Sequence, residues 1–235
     1  MAEAPIAFVC AMPRELKPLT KRLGLRRSEL GGGRAREGSL DGRPVVAVVT
    51  GMGTRCAAAG MRRLLDTVTP SHVLVVGIAG AVEDSTPIGA LVVPDRVIDH
   101  ASGREHRHHL MGPGEGHGTL WTTDVITPVS ELPALRAGGV VALDMETAAI
   151  AAACEERRVP WTVFRAISDR ATDGSVDDEV FHLSRQDGTP SPRAVFRYLL
   201  RHPRRIPGLV RMGRDAALAA DRAGDAAIAA VRATF

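Results

Sequence analysis

The sequence predicts an α/β fold built on a mostly parallel sheet covered by helices, and three observations carry that prediction. Short apolar runs recur along the chain (Ile6 to Met12, Val45 to Val49, His72 to Val76, Trp161 to Ile167) at lengths suited to buried strands. The first three run directly into proline- or glycine-marked segments, at Pro13, at Thr50-Gly51-Met52-Gly53 and at Gly77-Ile78-Ala79-Gly80. Helical patterns then follow, and strand alternating with helix is the signature of parallel strands joined by crossovers.

Taken in order, Ile6 to Met12 is a first buried strand, and Pro13 opens a helix over residues 14–23. The Asp41-Gly42 pair between short strands predicts a hairpin over residues 38–49, followed by a helix over 54–67. Further strands are expected at His72 to Val76, Leu91 to Asp99, Val140 to Leu143 and Trp161 to Ile167, the first ending in the Gly77 to Gly80 turn. Residues 100–118 and 170–192 lack periodicity and read as loops. The end of the chain reads as helix from Pro192 to Leu200, interrupted by Pro203 and Pro207, then again over about 208–232. The chain is read as one domain, residues 1–235, with 193–235 as a C-terminal helical extension.

A chain of 235 residues with 45% hydrophobic content can bury a sizeable core. There is no apolar stretch long enough to span a bilayer and no secretory pattern at the start, so the expected location is cytoplasmic. Cys10, Cys56 and Cys154 lack disulfide or zinc spacing. His100, His106, His108, His109 and His117 are irregularly spaced and read as surface residues, so no metal is expected. The net charge of +3 is uneven: residues 191–235 hold nine Arg and three Asp, a balance of +6. That tail lacks interleaved aromatics and follows an acidic body, which argues against nucleic acid as a partner.

Two strand ends carry acids. Val163-Phe164-Arg165-Ala166-Ile167-Ser168-Asp169 is an apolar run ending on Arg-x-x-Ser-Asp, and Ala142-Leu143-Asp144-Met145-Glu146 turns into a helix at a carboxylate pair. In α/β proteins the carboxyl ends of parallel strands are where ligands bind. Read alone, Asp169 is also a helix N-cap or a loop acid paired with Arg165 or Arg170, and Glu146 a first-turn helix acid beside Asp144 as the cap.

Together with Cys10-Ala11-Met12-Pro13-Arg14-Glu15, Thr50-Gly51-Met52-Gly53 and Gly77-Ile78-Ala79-Gly80, these segments resemble the nucleoside phosphorylase and nucleosidase superfamily over residues 5–170. The resemblance implies three αβα layers around a mixed, mostly parallel twisted sheet. It implies a small-molecule nucleoside as partner and a homodimer or larger assembly. It further implies cleavage of the N-glycosidic bond of a 5′-substituted adenosine, by water or by inorganic phosphate as co-substrate, with no cofactor.

Residue by residue, Asp169 matches the acid that protonates or hydrogen-bonds the departing purine, with Ser168 and Arg165 orienting it. Glu146 matches the ribose-binding carboxylate and Met145 the apolar residue against the sugar. Glu15 matches the base that activates water, although Pro13 and Arg14 replace acids common before it. Gly53, Ala79, Gly80 and Thr127 fall at ligand-contacting positions. Ile78 stands where a small hydroxyl residue is common, and Ile126 where an aromatic often stacks on adenine.

The tail from Phe181 to Arg211 resembles that of hopanoid-associated phosphorylases, which act on adenosylhopane, and its basic residues suggest weak membrane-surface contact beside the plainer reading of sheet-covering helices. A catalytically impaired nucleoside-binding protein is the alternative that Ile78 and Ile126 suggest. A dinucleotide-binding reading of Gly51-Met52-Gly53 fails at Cys56, where a third glycine belongs.

Overall fold

A computed structural model describes residues 3–28, 35–112, 116–172, 202 and 205–235. Its centre is strand β1 (Ile6–Cys10), every residue of which is buried. Ile6, Phe8 and Cys10 face one apolar cluster and Ala7 and Val9 the other, so an unbroken apolar run serves a sheet covered on both sides. Parallel to β1 lie β4 (Arg43–Val49) and β5 (His72–Ala81). One cluster is closed by α2 (Thr54–Thr67) and α4 (Thr147–Glu156), the other by α1 (Pro13–Arg22) and α5 (Ile206–Thr234). Three layers result, as the resemblance implies.

The sheet is mixed. β2 (Arg26–Ser28), β3 (Ala35–Leu40) and β4 form an antiparallel run at one side, and the β3–β4 turn places Asp41 at φ 51° and Gly42 at φ 88°. Two consecutive positive φ values make the tight hairpin that Asp-Gly favours. On the other side come β10 (Val140–Asp144), β9 (Thr119–Thr122), β7 (Arg96–Asp99) and β8 (Glu105–His106). β11 (Trp161–Arg170) runs parallel along nearly the whole of β5 and pairs with β6 (Leu91–Val92).

Several elements depart from the sequence reading. β5 does not stop at Val76: Gly77 to Gly80 are strand, paired with Arg165 to Asp169 of β11. A β-carbon on Gly77 would lie 2.3 Å from Arg165 Nη1 and 2.4 Å from Glu15 Oε1, so this glycine marks a close side-chain approach instead of a turn. The expected strand Leu91 to Asp99 is two short strands, β6 and β7, separated around Pro94. The expected 100–118 loop contains β8, and His106 is buried against Glu155 instead of lying on the surface. β9 and the short helix α3 (Leu132–Ala137) lacked a readable period.

α5 is continuous from Ile206, because Pro207 sits in its first turn, where a missing N–H costs nothing. The expected loop over 173–192 and helix from Pro192 to Leu200 lie outside the described residues. α5 meets the sheet through Ala216, Ala219, Ala220, Ala223, Ala227 and Ala230, all buried. Small side chains let its axis come close.

Gly60 of α2 gives a test of this close packing. An alanine in a helix interior normally stabilises by about 1 kcal/mol over glycine. Here the added β-carbon would lie 2.7 Å from Thr50 Cβ and 2.9 Å from its Cα, a backbone atom that cannot swing away. Gly60→Ala is therefore expected to destabilise, by about 1–3 kcal/mol in chemical denaturation; a stabilised variant would refute this packing.

Candidate active site

The strand ends converge on one cleft of about 910 Å³, measured out to its open mouth. Met12 and Glu15 reach it from the β1–α1 junction, Met52 from the turn after β4, and Ile78, Ala79 and Gly80 from β5. Leu143, Asp144, Met145 and Glu146 come from the end of β10, Ser168, Asp169, Arg170 and Ala171 from the end of β11, and Thr123, Val125, Ile126 and Thr127 from the segment after β9. Of the residues the sequence singles out, only Gly53 and Arg165 do not line it. Gly53 stands behind Glu146, its N–H donating to Oε1 at 2.9 Å. This engages the glycine turn with a carboxylate of its own chain.

Arg165 is 1% exposed and lies beneath the cleft. It was expected to orient Asp169, but its guanidinium points to three other acids. Nη2 donates to Asp144 Oδ2 at 2.5 Å and to Glu146 Oε2 at 3.4 Å, and Nη1 approaches Glu15 Oε1 at 3.7 Å. Nη1 also donates to the Ile78 carbonyl, and Nε and Nη2 to Thr147 Oγ1. The reason is a β-bulge: between Ile167 and Asp169 the pairing with β5 slips, so that Asp169 faces Gly80. A bulge re-aims the side chain that follows it. Asp169 instead accepts a hydrogen bond from Ser168 Oγ, Oδ1 lying 2.5 Å away, and a β-carbon on Gly80 would lie 3.3 Å from Asp169 Oδ2.

Glu15 is held by the backbone. Its Oε2 accepts from the N–H groups of Ala11 and Met12 at 2.8 and 2.9 Å, and its Oε1 from the N–H of Ile78 at 3.0 Å. Three donors and no acceptor suit an ionised carboxylate. Burial nonetheless raises its pKa, against the opposing pull of Arg165 and those amides. The Ile78 side chain, which brings no hydroxyl, leaves its backbone N–H as the group that meets Glu15.

Glu146 is 6% exposed. Burial, only partly offset by Arg165 and reinforced by the negative charges of Asp144 and Glu15, pushes its pKa from 4.5 up to about 8. The same three carboxylates more than offset burial at Arg165 and raise its pKa further. One guanidinium thus faces three acids. Asp144 is the fully bonded member: Thr122 Oγ1 donates to its Oδ1 at 2.6 Å, and the Thr147 N–H and hydroxyl and Arg165 converge on Oδ2.

The remaining wall is aliphatic, supplied by Met52, Ile78, Leu143, Met145, Val125 and Ile126, with the last two 59% and 41% exposed on the lip. No lining residue among those described is aromatic. The lip is fixed to α2 because Asp124 accepts from the Thr54 N–H at 2.8 Å and from the Thr54 hydroxyl. Among the described residues, no cluster of three His, Cys, Asp or Glu could hold a metal ion. The sequence reading missed Asp144 as the anchor of Arg165 and missed Thr122 and Thr147 altogether; adjacency to Glu146 was the one signal available.

The pKa directions fix a pH dependence. A carboxyl whose pKa is higher folded than unfolded binds more protons in the native state between the two values, so stability falls as pH rises through that window. Unfolding free energy is expected to decline from about pH 4.5 towards pH 8, by at most about 1.4 kcal/mol per pH unit for one proton. Denaturant titration across this range should show a shallower slope for Glu146→Gln, with the residual slope due to Glu15; identical slopes would contradict the assignment.

The sequence profile of the phosphorylase superfamily matches residues 5–123 and 116–201. Among characterised proteins, the 5′-methylthioadenosine/S-adenosylhomocysteine nucleosidase of Geobacillus kaustophilus is 26% identical over 201 residues, covering 72% of this chain and 86% of that protein. The crystal structure of the enzyme of that name from Neisseria meningitidis, in complex with methylthio-immucillin-A, has the same fold, with a TM-score of 0.74, 18% identity, and 97% and 98% of the two chains covered. The futalosine hydrolase of Helicobacter pylori superposes with a TM-score of 0.73 at 15% identity, covering 97% of each chain.

Proposed function

We propose that this chain, which belongs to the phosphorylase superfamily, hydrolyses the N-glycosidic bond of a 5′-substituted adenosine and releases adenine. The observation that carries this reading is Glu15, buried, acceptor-only and held by three backbone N–H groups on the wall of the cleft that Asp169 also lines. Glu15 and Asp169 approach β5 at two different positions, Gly77 and Gly80. Two acids on one cleft suit a displacement in which one protonates the leaving group and the other activates the nucleophile.

In this mechanism Asp169, oriented by Ser168, gives a proton or a hydrogen bond to the purine as the bond to C1′ stretches. Glu146 takes hydrogen bonds from the ribose hydroxyls, and in its ionised form its charge favours the cationic sugar of the transition state. Glu15 takes the proton of the attacking water. Met145 and Ile78 exclude bulk water and lie against the sugar.

Water is favoured as the nucleophile because Glu15 stands on the cleft wall as its base, while Arg165 below is engaged by Glu15, Asp144 and Glu146. Among the described residues Arg170 is the one cation on the cleft lining, and its Nε donates to the Thr86 carbonyl. The aliphatic wall suits an apolar 5′ substituent.

The test is adenine release from methylthioadenosine, adenosylhomocysteine and adenosylhopane, with inosine and futalosine for comparison, each with and without phosphate. Release is expected from at least one adenosine derivative at a rate independent of phosphate. Asp169→Asn and Glu15→Gln should each lower kcat by about 10²–10⁴-fold. Strict phosphate dependence would overturn water as nucleophile, undiminished turnover in Asp169→Asn would overturn its role, and tight binding without base release from any substrate would make the chain a binding protein.

A further inference from the structure

The lip of the cleft carries a contact that the chemistry leaves unused. α2 has no side-chain cap of its own: its N-cap is Gly53, at φ 84°, where a serine or aspartate would be strained. The cap comes from outside the helix. Asp124, in the segment after β9, accepts from the Thr54 N–H at 2.8 Å through Oδ1 and from the Thr54 hydroxyl through Oδ2. The preceding amide, that of Gly53, donates to Glu146 at 2.9 Å. Two consecutive N–H groups at one helix start therefore hold a carboxylate of the lip and a carboxylate of the cleft, and the helix dipole favours both.

Before Asp124 the chain is tied down twice more: Thr122 Oγ1 accepts from the Ala148 N–H of α4 at 3.1 Å, and the Thr123 N–H donates to the Asp144 carbonyl at 2.9 Å. After it the ties stop. Among the described residues, the hydrogen bonds of residues 125–127 are those of Val125 with the Thr123 hydroxyl, at 3.3 and 3.4 Å. Yet Val125, Ile126 and Thr127 all line the cleft. Asp124 is thus the last polar anchor before the lip.

We propose that Asp124 is a positioning residue for nucleoside binding: by clamping residues 125–127 to the start of α2 it holds the lip in a fixed relation to Glu146, and so sets the affinity for substrate. The assignment rests on the reading of the cleft as a nucleoside hydrolase site. Without the clamp the lip stands in its binding position for only part of the time, and apparent affinity falls by that fraction. The chemical step is spared, because Glu15 is held by backbone amides and Asp169 by Ser168.

The experiment compares Asp124→Ala and Asp124→Asn with the wild-type full chain, using whichever of methylthioadenosine, adenosylhomocysteine and adenosylhopane is cleaved fastest. Asp124→Ala should raise KM about tenfold while kcat stays within about threefold, and should speed amide hydrogen exchange across residues 123–128. Asparagine still accepts from the Thr54 N–H and can donate to the Thr54 hydroxyl oxygen, so Asp124→Asn should keep a KM near that of the wild type. In a Val125→Ala/Ile126→Ala background Asp124→Ala should add little, since both changes act through one contact. A residue that only stabilises α2 would lower the denaturation midpoint and leave KM unmoved. Unchanged exchange, unchanged KM, or a full additive effect in the truncated-lip background would overturn the proposal. If the wild type binds methylthioadenosine in equilibrium dialysis but cleaves none of the three, the hydrolytic reading alone fails, and the same tenfold change is then read in Kd. A wild type that binds none of them overturns both.

Discussion

One buried cation under three carboxyls organises this protein. Arg165 is fully enclosed, and its guanidinium touches acids from three separate places: Glu15 at the start of α1, and Asp144 and Glu146 at the end of β10 and the start of α4. A buried arginine without partners would cost far more than any single packing contact contributes, and so would any of these acids alone. The ion cluster therefore ties the β1–α1 junction, β10 and β11 to one another in a fixed relation. It also sets the character of the cleft above it: burial raises the pKa of Glu15 and of Glu146, Arg165 opposes both rises, and at Glu146 the charges of Asp144 and Glu15 add to the rise.

The fold makes room for this cluster with absent side chains. Gly77 occupies a strand position where any β-carbon would collide with both Arg165 and Glu15, and Gly80 sits opposite Asp169. β5 can therefore run on as strand beneath the cleft, with β11 paired alongside it, while the polar groups of both strands' neighbours meet over its backbone. A bulge at Ser168 then separates the two polar ends of β11: Arg165 turns to the buried cluster, and Asp169 turns to the opening. Strand and bulge together divide one motif into a structural cation and a cleft acid.

This division explains what was legible in the sequence and what was not. The strands β1, β4 and β11 and the helices α1 and α2 follow from apolar runs and punctuation, because those elements are buried or amphipathic in a way that periodicity reports. The Asp41-Gly42 hairpin follows from turn chemistry. Gly77 to Gly80 misled, since glycine as turn-former and glycine as space for a neighbouring side chain look alike in one dimension. The partners of Arg165 were equally hidden: spacing within a strand suggests Asp169 four residues on, whereas Glu15, Asp144 and Glu146 are brought in by tertiary structure. Thr122 and Thr147 hold Asp144 through single hydroxyls, which leave no sequence pattern. The lining positions Glu15, Met145, Glu146, Ser168 and Asp169 were found only because several short motifs occur in a familiar order.

The central claim is that electrostatics, and not shape alone, makes Arg165 indispensable. It is tested most directly by denaturant unfolding at pH 7 of Arg165→Met beside the triple variant Arg165→Met/Glu15→Gln/Glu146→Gln. Removing the cation alone should cost about 3–5 kcal/mol, because it strands buried carboxyls. Neutralising two of those carboxyls should then recover a substantial part of that loss. A single variant as stable as the wild type, or a triple variant no more stable than the single, would contradict the account.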